Sequence, residues 1–258
     1  MGNTIIPEIL YQTDTSHQIR VEQEGAIRKL MFGHAMCQNQ SCIDIQDLRS
    51  HIFDYSLLSM YSFLFTPSPS NVLVVGLGGG VIPREIAHYF PDIKVDVIEI
   101  DPEVVKIAKD FFFFEETDNI KVYMGDAFNV IKEMPLKYDI IVLDAFSPTY
   151  VPFHLMSIEF LQSVIRVSKS ESVIVANTCS VHPSFLGQLN TFREAFGERM
   201  YYIDGIKNDM VKMLYIPKGD LLMGDVLGLP KEYYPLLKPK SFRFTNIIRQ
   251  ASIFSLRR

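Results

Sequence analysis

The sequence predicts an α/β protein in which a Rossmann-like, mainly parallel, doubly wound sheet follows a small N-terminal β domain. Two observations predict this fold class. After about residue 72, apolar runs of strand length alternate with segments of helical periodicity, a pattern typical of parallel sheets with helical crossovers. Before that point, short β-type runs alternate with turn residues, which indicates a separate β unit.

The N-terminal part divides into short strands, one helix and a linker. β-type runs at 9–11 and 19–22 flank the turn-rich residues 13–16. Apolar residues then recur at helical spacing from about 45 to 65, so we expect a helix there. The Pro- and Ser-rich residues 66–71 are the clearest linker in the chain. The predicted division is therefore a small N-terminal β domain with its linking helix at 1–66, a main domain at 67–218 and a C-terminal extension at 219–258.

Strands and helices alternate through the main domain. Residues 72–75 are apolar throughout, as expected of a strand that is buried on both faces. Pro102 begins a helix at its first turn, where a missing N–H costs no hydrogen bond. Further strands are predicted at 95–100, 122–124, 140–143, 172–176, 200–203 and 213–216, and further helices at 82–89, 156–168 and from about 190.

Composition and charge exclude several function classes. The 258 residues carry a formal net charge of −5, which gives no basis for broad nucleic-acid binding. No apolar run reaches the length of a membrane span, so no membrane partner is expected. The three cysteines, Cys37, Cys42 and Cys179, lack metal-ligand spacing, and their odd number fits a reducing compartment. We therefore expect a cytoplasmic protein without a bound metal.

A glycine-rich turn follows the first strand of the main domain. Its residues are Gly76-Leu77-Gly78-Gly79-Gly80, and a predicted helix begins soon after them. Glycines allow a ligand to approach the backbone closely, and the start of a helix offers unpaired N–H groups. Gly76, Gly78 and Gly79 are therefore candidate ligand-binding residues, although a tight structural turn gives the same pattern.

An acid ends the second strand. Glu99 lies 23 residues after Gly76, at the tip of the strand predicted at 95–100. A carboxylate at this position can accept hydrogen bonds from both hydroxyls of a ribose. A capping or solvated acid is the alternative, but the preceding glycine-rich turn favours ribose binding.

The third strand ends in Gly125-Asp126-Ala127, where Asp126 can accept a hydrogen bond from the amino group of adenine. We take Asp126 and Ala127 as cofactor-binding candidates. The glycine-rich turn lacks the full G-x-G-x-x-G spacing, since Val81 stands at the sixth position. These features favour an S-adenosyl nucleoside over a dinucleotide and predict the fold of S-adenosylmethionine-dependent transferases. For Asp126 a helix N-cap is the alternative, and that role does not exclude binding.

The fourth strand ends in Asp144-Ala145-Phe146-Ser147. Ligands of open α/β sheets lie across the carboxyl ends of the strands. Asp144 would then face the reacting carbon of the ligand, which makes it the candidate catalytic residue. A helix cap or a turn aspartate is again the alternative.

Several segments together resemble the spermidine synthase (polyamine aminopropyltransferase) family, as a divergent spermidine-synthase-like member. The resemblance covers roughly residues 9–216 and is carried by 72–85, Ile98-Glu99-Ile100-Asp101, Gly125-Asp126-Ala127 and 138–144, with 10–19 and Phe53-Asp54-Tyr55 in the N-terminal part. It implies five residue roles: Gln18 contacts the nucleoside, Glu99 binds the ribose, Asp126 binds the adenine, Asp144 acts as base or orienter of the reacting amine, and Tyr55 lines the amine tunnel.

Three positions depart from the pattern of that family. Gly79 stands where the family has an acid in the glycine-rich turn, Ser147 where it has a second acid, and Ser56 where it has Gln after the tunnel tyrosine. A diamine carries a positive charge at each end, and burying those charges without carboxylates is costly. Tyr55 and Ser147 are the acceptor-pocket candidates.

Three functions fit this sequence. One is transfer of an aminopropyl group from decarboxylated S-adenosylmethionine to an amine, with Asp144 accepting or orienting the proton. Another is a methyltransferase that uses S-adenosylmethionine itself, which Gly79 favours because an acid there would repel the methionine carboxylate. A third is a non-catalytic nucleoside-binding protein. The expected partner is a small-molecule amine or another nucleophilic acceptor, and homodimerisation is left open.

Overall fold

Two β-sheets form the framework of the protein. The structure is a computed structural model, which describes residues 6–13, 18–33, 39–66, 68–146, 151–197, 200–204 and 211–218. One sheet has four strands and the other has seven. The mainly parallel sheet and the preceding β unit confirm the predicted fold class, while the domain limits at 66 and 218 stay predictions.

The N-terminal sheet is antiparallel, and its strands follow one another in chain order. In its second strand Ile19 and Val21 are buried, whereas the residues between and after them are partly exposed. This alternation gives the sheet one apolar face that packs into the core. The strands are β1 (Glu8–Gln12), β2 (Ile19–Glu24), β3 (Ile27–Phe32) and β4 (Asn39–Asp44).

The larger sheet has five parallel strands at one side and two antiparallel strands at the other. Its strands are β5 (Asn71–Val75), β6 (Lys94–Glu99), β7 (Ile120–Met124), β8 (Tyr138–Leu143), β9 (Ser168–Cys179), β10 (Tyr201–Asp204) and β11 (Val211–Pro217). Their spatial order is β10-β11-β9-β8-β5-β6-β7. The predicted strands at 72–75 and 140–143 are therefore direct parallel neighbours.

Helices cover both faces of this sheet, as a doubly wound fold requires. Val72 and Val74 of β5 pack into one apolar cluster, and Leu73 and Val75 pack into the other. The helices are α1 (Asp54–Met60), α2 (Val81–Tyr89), α3 (Pro102–Phe111), α4 (Ala127–Val130), α5 (Ile158–Val167) and α6 (Phe185–Phe196). Short 3-10 turns lie at Tyr61–Leu64, Ile131–Glu133 and Phe153–Met156. None of the helices in the described part combines the length and the apolar character that a membrane crossing needs.

The prediction of a helix from about 45 to 65 is wrong for its first half, because α1 begins only at Asp54. The side chain of Asp47 accepts a hydrogen bond from the N–H of Arg49 at 3.2 Å, which stabilises a turn instead of a helix. Leu48 packs against the core from this irregular segment. The helical spacing of the apolar residues therefore reflects tertiary packing and not local helix formation.

Candidate active site

A cavity of about 790 Å³ lies at the carboxyl ends of β5, β6, β7 and β8, with β4 and α1 on its other side. Seven of the residues proposed from sequence line it: Tyr55, Gly76, Gly78, Glu99, Asp126, Ala127 and Asp144. Gln18 and Gly79 are described but do not belong to this wall. Ser147 lies outside the described residues.

The glycine-rich turn brings the ends of two strands together. Gly76 has a φ of +98°, and a Cβ at this position would lie 2.5 Å from the backbone oxygen of Asp144. The N–H of Gly76 donates to the carbonyl of Ile98 at 2.8 Å. Only glycine fits this close approach of β5 to the end of β8. The turn therefore sets the distance between the glycine-rich backbone and the candidate catalytic residue.

Gly79 faces the N-terminal sheet. Its N–H donates to Ser41 Oγ at 2.8 Å, and an added Cβ would lie 2.9 Å from both the Phe112 ring and Ser41 Cβ. Ser41 Oγ also lies 3.2 Å from the Tyr55 hydroxyl. The turn and the wall formed by α1 are thus connected through one serine of β4.

Gln18 and Gln40 occupy different places relative to the cavity. Gln18 precedes β2, and its carbonyl accepts a hydrogen bond from Gly33 N–H at 3.2 Å. Gln40 lines the cavity, and its carbonyl accepts the Tyr55 hydroxyl at 3.0 Å. Sequence reasoning missed Gln40, because it lies in a polar run without the hydrophobic alternation that marks a strand.

Glu99 is almost fully buried, and backbone groups surround its carboxylate. Oε1 accepts the N–H groups of Ile100 at 2.8 Å and Asp101 at 3.0 Å, and Oε2 accepts Leu77 N–H at 2.9 Å. Burial raises the pKa of Glu99, and these hydrogen bonds oppose that shift. Since each carboxylate oxygen has two acceptor sites, Oε2 retains one for a ligand in this arrangement.

Asp126 combines a structural role with a place on the cavity wall. Its Oδ1 accepts the N–H of Phe128 at 2.9 Å, so it is the N-cap of α4. The same oxygen lies 3.0 Å from His154 Nε2. His154 also lines the cavity and packs its ring edge-on against Phe128. The cap therefore orients a carboxylate that remains accessible from the cavity.

Asp144 lies at the end of β8 and is oriented by a neighbouring strand. Its Oδ1 accepts a hydrogen bond from Asn177 Nδ2 at 2.8 Å, and its N–H donates to Val75 at 2.9 Å. Burial raises the pKa of Asp144 to about 7, against the lowering effect of the Asn177 hydrogen bond. Such a pKa suits a group that exchanges protons near neutral pH.

Tyr55 faces the same region from α1. Its pKa is raised, first by burial and then by the charge of Asp144. The hydroxyl is thus within electrostatic reach of that carboxylate. Asn177, the partner of Asp144, was missed from the sequence because it lies one residue beyond the strand predicted at 172–176, whereas β9 continues to Cys179.

The cavity has a strongly acidic lining. Five of its residues carry carboxylates, namely Asp54, Glu99, Asp101, Asp126 and Asp144, and no Lys or Arg stands on the wall as far as the structure describes it. A low-dielectric cleft lined by charges of one sign attracts ligands of the other sign. The site is therefore suited to a cationic ligand. The described residues contain no group of three or more His, Cys, Asp or Glu arranged to hold a metal ion.

Comparison with known proteins matches residues 53–207 to the spermine/spermidine synthase domain. The polyamine aminopropyltransferase of Vibrio vulnificus is 41% identical over 158 residues, which are 60% of this chain and 52% of that protein. The chain thus spans about half the length of this relative.

Two further similarities concern the fold and a second activity. The eEF1A lysine and N-terminal methyltransferase of Mus musculus is 34% identical over 124 residues, 44% of this chain and 18% of that protein. A solved spermidine synthase in complex with the transition state analogue AdoDATO superimposes with a TM-score of 0.65 at 17% identity, covering 87% of this chain and 78% of that one. At that identity the likeness shows a shared fold.

Proposed function

The chain belongs to the spermine/spermidine synthase family, and on that premise we propose that it transfers an aminopropyl group from decarboxylated S-adenosylmethionine to an amine. The observation that carries this proposal is the acidic cavity, with five carboxylates and no Lys or Arg along its described wall. Donor and acceptor are both cationic, and the donor has lost the carboxylate that such a wall would repel.

The nucleoside of the donor would lie across the ends of β5, β6 and β7. Gly76 and Gly78 allow its close approach to the backbone, Glu99 would accept a ribose hydroxyl, and Asp126 would accept the adenine amino group, with Ala127 beside it. Gln18 and Gly79 lie off the described wall. The proposal therefore does not depend on either of them.

In the reaction, the attacking nitrogen of the acceptor is in its neutral amine form, and its lone pair attacks the propyl carbon next to the sulfonium. The new N–C bond forms as the C–S bond breaks, and sulfur takes the bonding pair and leaves as methylthioadenosine. The nitrogen then loses one proton. Asp144, whose pKa burial raises to about 7, is ionised in a large fraction of molecules at neutral pH and would accept or orient that proton. Asn177 orients the carboxylate, and much of the rate would come from alignment of the two substrates.

The acceptor we propose is a small-molecule amine, by analogy with the polyamine aminopropyltransferase of Vibrio vulnificus. Tyr55 would line its path, since it stands on the cavity wall and its hydroxyl is within electrostatic reach of Asp144. The cytoplasmic location belongs to this proposal and rests on the odd number of cysteines.

Methyl transfer from S-adenosylmethionine is the second candidate. It is favoured by the 34% identity to a methyltransferase over 124 residues, whereas Gly79, which favoured it in the sequence, does not belong to the described cavity wall. The donor would then bring a carboxylate into the acidic cavity. Because no Lys or Arg lies on the described wall to bind that carboxylate, the geometry favours the decarboxylated donor.

Calorimetry with S-adenosylmethionine, its decarboxylated form and methylthioadenosine tests the choice of donor. We expect the decarboxylated form to bind more tightly than S-adenosylmethionine. Mass spectrometry of the reaction then identifies the leaving nucleoside, which is methylthioadenosine for aminopropyl transfer and S-adenosylhomocysteine for methyl transfer. Tighter binding of S-adenosylmethionine, with S-adenosylhomocysteine as the product, would reject the proposal.

A further inference from the structure

His154 is the one basic side chain on the described wall of the cavity. It lies in the short 3-10 turn Phe153–Met156, and 45% of its side chain is exposed. The proposed reaction does not use it. Its Nε2 nevertheless lies 3.0 Å from Oδ1 of Asp126, the residue proposed to bind the adenine. This contact joins the histidine to the carboxylate that the adenine would meet.

The carboxylate of Asp126 is held through one of its two oxygens. Oδ1 accepts the N–H of Phe128 at 2.9 Å and contacts His154 Nε2 at 3.0 Å. A carboxylate oxygen has two acceptor sites, so both sites of Oδ1 are used. Oδ2 accepts no hydrogen bond from the described residues. It is therefore the oxygen that remains for the amino group of an adenine.

The same contact determines which ring nitrogen of His154 carries a proton. An ionised carboxylate has acceptor sites only, so a hydrogen bond to it needs an N–H on the ring. Nε2 is the nitrogen within reach of Asp126, and it therefore carries the proton. Hydrogen bonds to a charged acceptor are stronger than those between neutral groups. His154 and Phe128 together restrain the carboxylate more firmly than the backbone N–H of Phe128 would alone.

His154 is itself held at two points. Its carbonyl accepts a hydrogen bond from the hydroxyl of Ser157 at 2.8 Å, and Ser157 is the N-cap of α5. Its ring packs edge-on against Phe128, with 6.0 Å between the ring centroids. A binding residue is oriented precisely when the groups that support it are themselves restrained. His154 meets this condition although nearly half of its side chain is exposed.

Building on the proposed binding of adenine by Asp126, we propose that His154 determines nucleobase specificity by orienting Asp126. With Oδ1 occupied by two donors, Oδ2 is left as the acceptor and selects a base that has an amino group at the facing position. A base with a carbonyl oxygen there, such as hypoxanthine, would place two acceptors together without a proton between them. His154 is a positioning residue, since it acts through Asp126 and takes no part in the transfer.

The test compares methylthioadenosine with methylthioinosine, in which a carbonyl oxygen replaces the amino group of adenine. Calorimetry measures both affinities and needs no turnover. The wild type should prefer methylthioadenosine by at least about 10-fold, as expected when a hydrogen bond to a charged group is lost. The amide of His154→Asn is too short to reach as far as Nε2. In this variant methylthioadenosine should bind about 5- to 20-fold more weakly, while methylthioinosine changes by less than about 3-fold.

Three further variants separate orientation of Asp126 from a general effect on folding. His154→Gln places an amide N–H at about the reach of Nε2, so it should keep the wild-type preference. His154→Leu removes the donor but retains an apolar side chain, so it should lose the preference and serves as the test if His154→Asn does not fold. His88→Asn is the matched control, because His88 is an exposed histidine of α2 outside the described wall. It should leave both affinities unchanged.

Combination with Asp126→Asn shows whether His154 acts through Asp126. Asparagine still caps α4 but no longer offers a charged acceptor. In that background His154→Asn should change the affinity for methylthioadenosine by less than about 2-fold, because residues of one hydrogen-bonded pair have non-additive effects. A merely structural role of His154 would instead give the same loss with aspartate or asparagine at position 126.

The outcomes distinguish this proposal from the proposed function. An unchanged preference in a folded His154→Asn or His154→Leu, or an equal loss of both nucleosides, overturns the role of His154 even if aminopropyl transfer occurs. Equal binding of the two nucleosides by the wild type overturns both adenine binding by Asp126 and the role of His154, while the leaving nucleoside still decides which group is transferred. A preference that depends on His154, without aminopropyl transfer, supports the role of His154 and rejects the proposed reaction.

Discussion

The backbone N–H of Gly79 donates a 2.8 Å hydrogen bond to Ser41 Oγ. This contact joins the glycine-rich turn of the large sheet to β4 of the N-terminal sheet. Ser41 Oγ also lies 3.2 Å from the hydroxyl of Tyr55 on the acceptor side. The absence of a side chain at Gly79 is therefore required by the packing between the two sheets, independently of any ligand.

Gly79→Ala should destabilise the protein through crowding. The new Cβ would lie 2.9 Å from the Phe112 ring and from Ser41 Cβ, and overpacking of this kind costs about 1–3 kcal/mol. Urea denaturation measures the change. Gly187→Ala is the matched control, since its Cβ meets no atom within 4 Å and it lies in α6, where alanine is neutral or stabilising. Equal stability of Gly79→Ala and wild type would contradict the crowding.

Glu99→Gln should weaken methylthioadenosine binding by about 1.5–3 kcal/mol, the usual contribution of a hydrogen bond to a charged group. The amide also replaces one carboxylate oxygen with a donor, which conflicts with the N–H groups of Leu77, Ile100 and Asp101. Calorimetry measures the affinity. Asp47→Asn serves as control and should change affinity by less than about 0.5 kcal/mol, because Asp47 is an exposed residue that does not belong to the described cavity wall. Unchanged affinity in a folded Glu99→Gln protein refutes ribose binding by Glu99.

Asp144→Asn should reduce turnover by roughly 10²–10⁴-fold, the range of a positioned acid–base group. Nucleoside affinity should change much less, because Asp144 lies on the acceptor side of the proposed donor. Steady-state rates and calorimetry on the same protein separate the two effects. If Asp144 were only a turn aspartate, asparagine would serve equally well and the variant would keep its activity.

Asn177→Ala should move the acid limb of the pH–rate profile to higher pH. The Asn177 hydrogen bond lowers the pKa of Asp144 against the effect of burial, which raises it to about 7. Its loss raises that pKa further, so at a given pH less of the carboxylate is in the ionised form that accepts a proton. We expect turnover to fall by about 3- to 10-fold at pH 7 and to recover toward pH 9. Both proteins are assayed with the same acceptor, so titration of the amine affects the two profiles equally. Superimposable profiles of wild type and Asn177→Ala would show that Asn177 does not set the pKa of Asp144.

The parts of the site that follow from local sequence were predictable. An apolar strand followed at once by a glycine is visible in 72–75 and Gly76, and one followed by an acid is visible in 140–143 and Asp144. Because parallel strands end at one edge of the sheet, such residues must lie close together once the fold is known. The order of the strands then determines which of these residues face the same ligand.

The other wall of the cavity could not be predicted in this way. Gln40 belongs to the N-terminal sheet, and Asp54 belongs to a helix whose start was misplaced. Both reach the cavity through packing between the two sheets, which leaves no periodic signal in the sequence. Asn177 was missed for a simpler reason: the strand predicted at 172–176 ended before it, whereas pairing with β11 extends β9 to Cys179.

The position of β11 has a consequence for the order in which the site is completed. β9 carries Asn177 and lies between β8 and β11, which pairs with it in antiparallel orientation from Val211 to Pro217. During synthesis the N-terminal part of a chain emerges first, so one edge of β9 has no partner until those residues appear. An unpaired edge is a site of mispairing and aggregation. We expect the glycine-rich turn and Glu99 to be assembled in a nascent chain that still lacks residue 211. In contrast, β9, whose Asn177 orients Asp144, is paired along both edges only after β11 has joined the sheet.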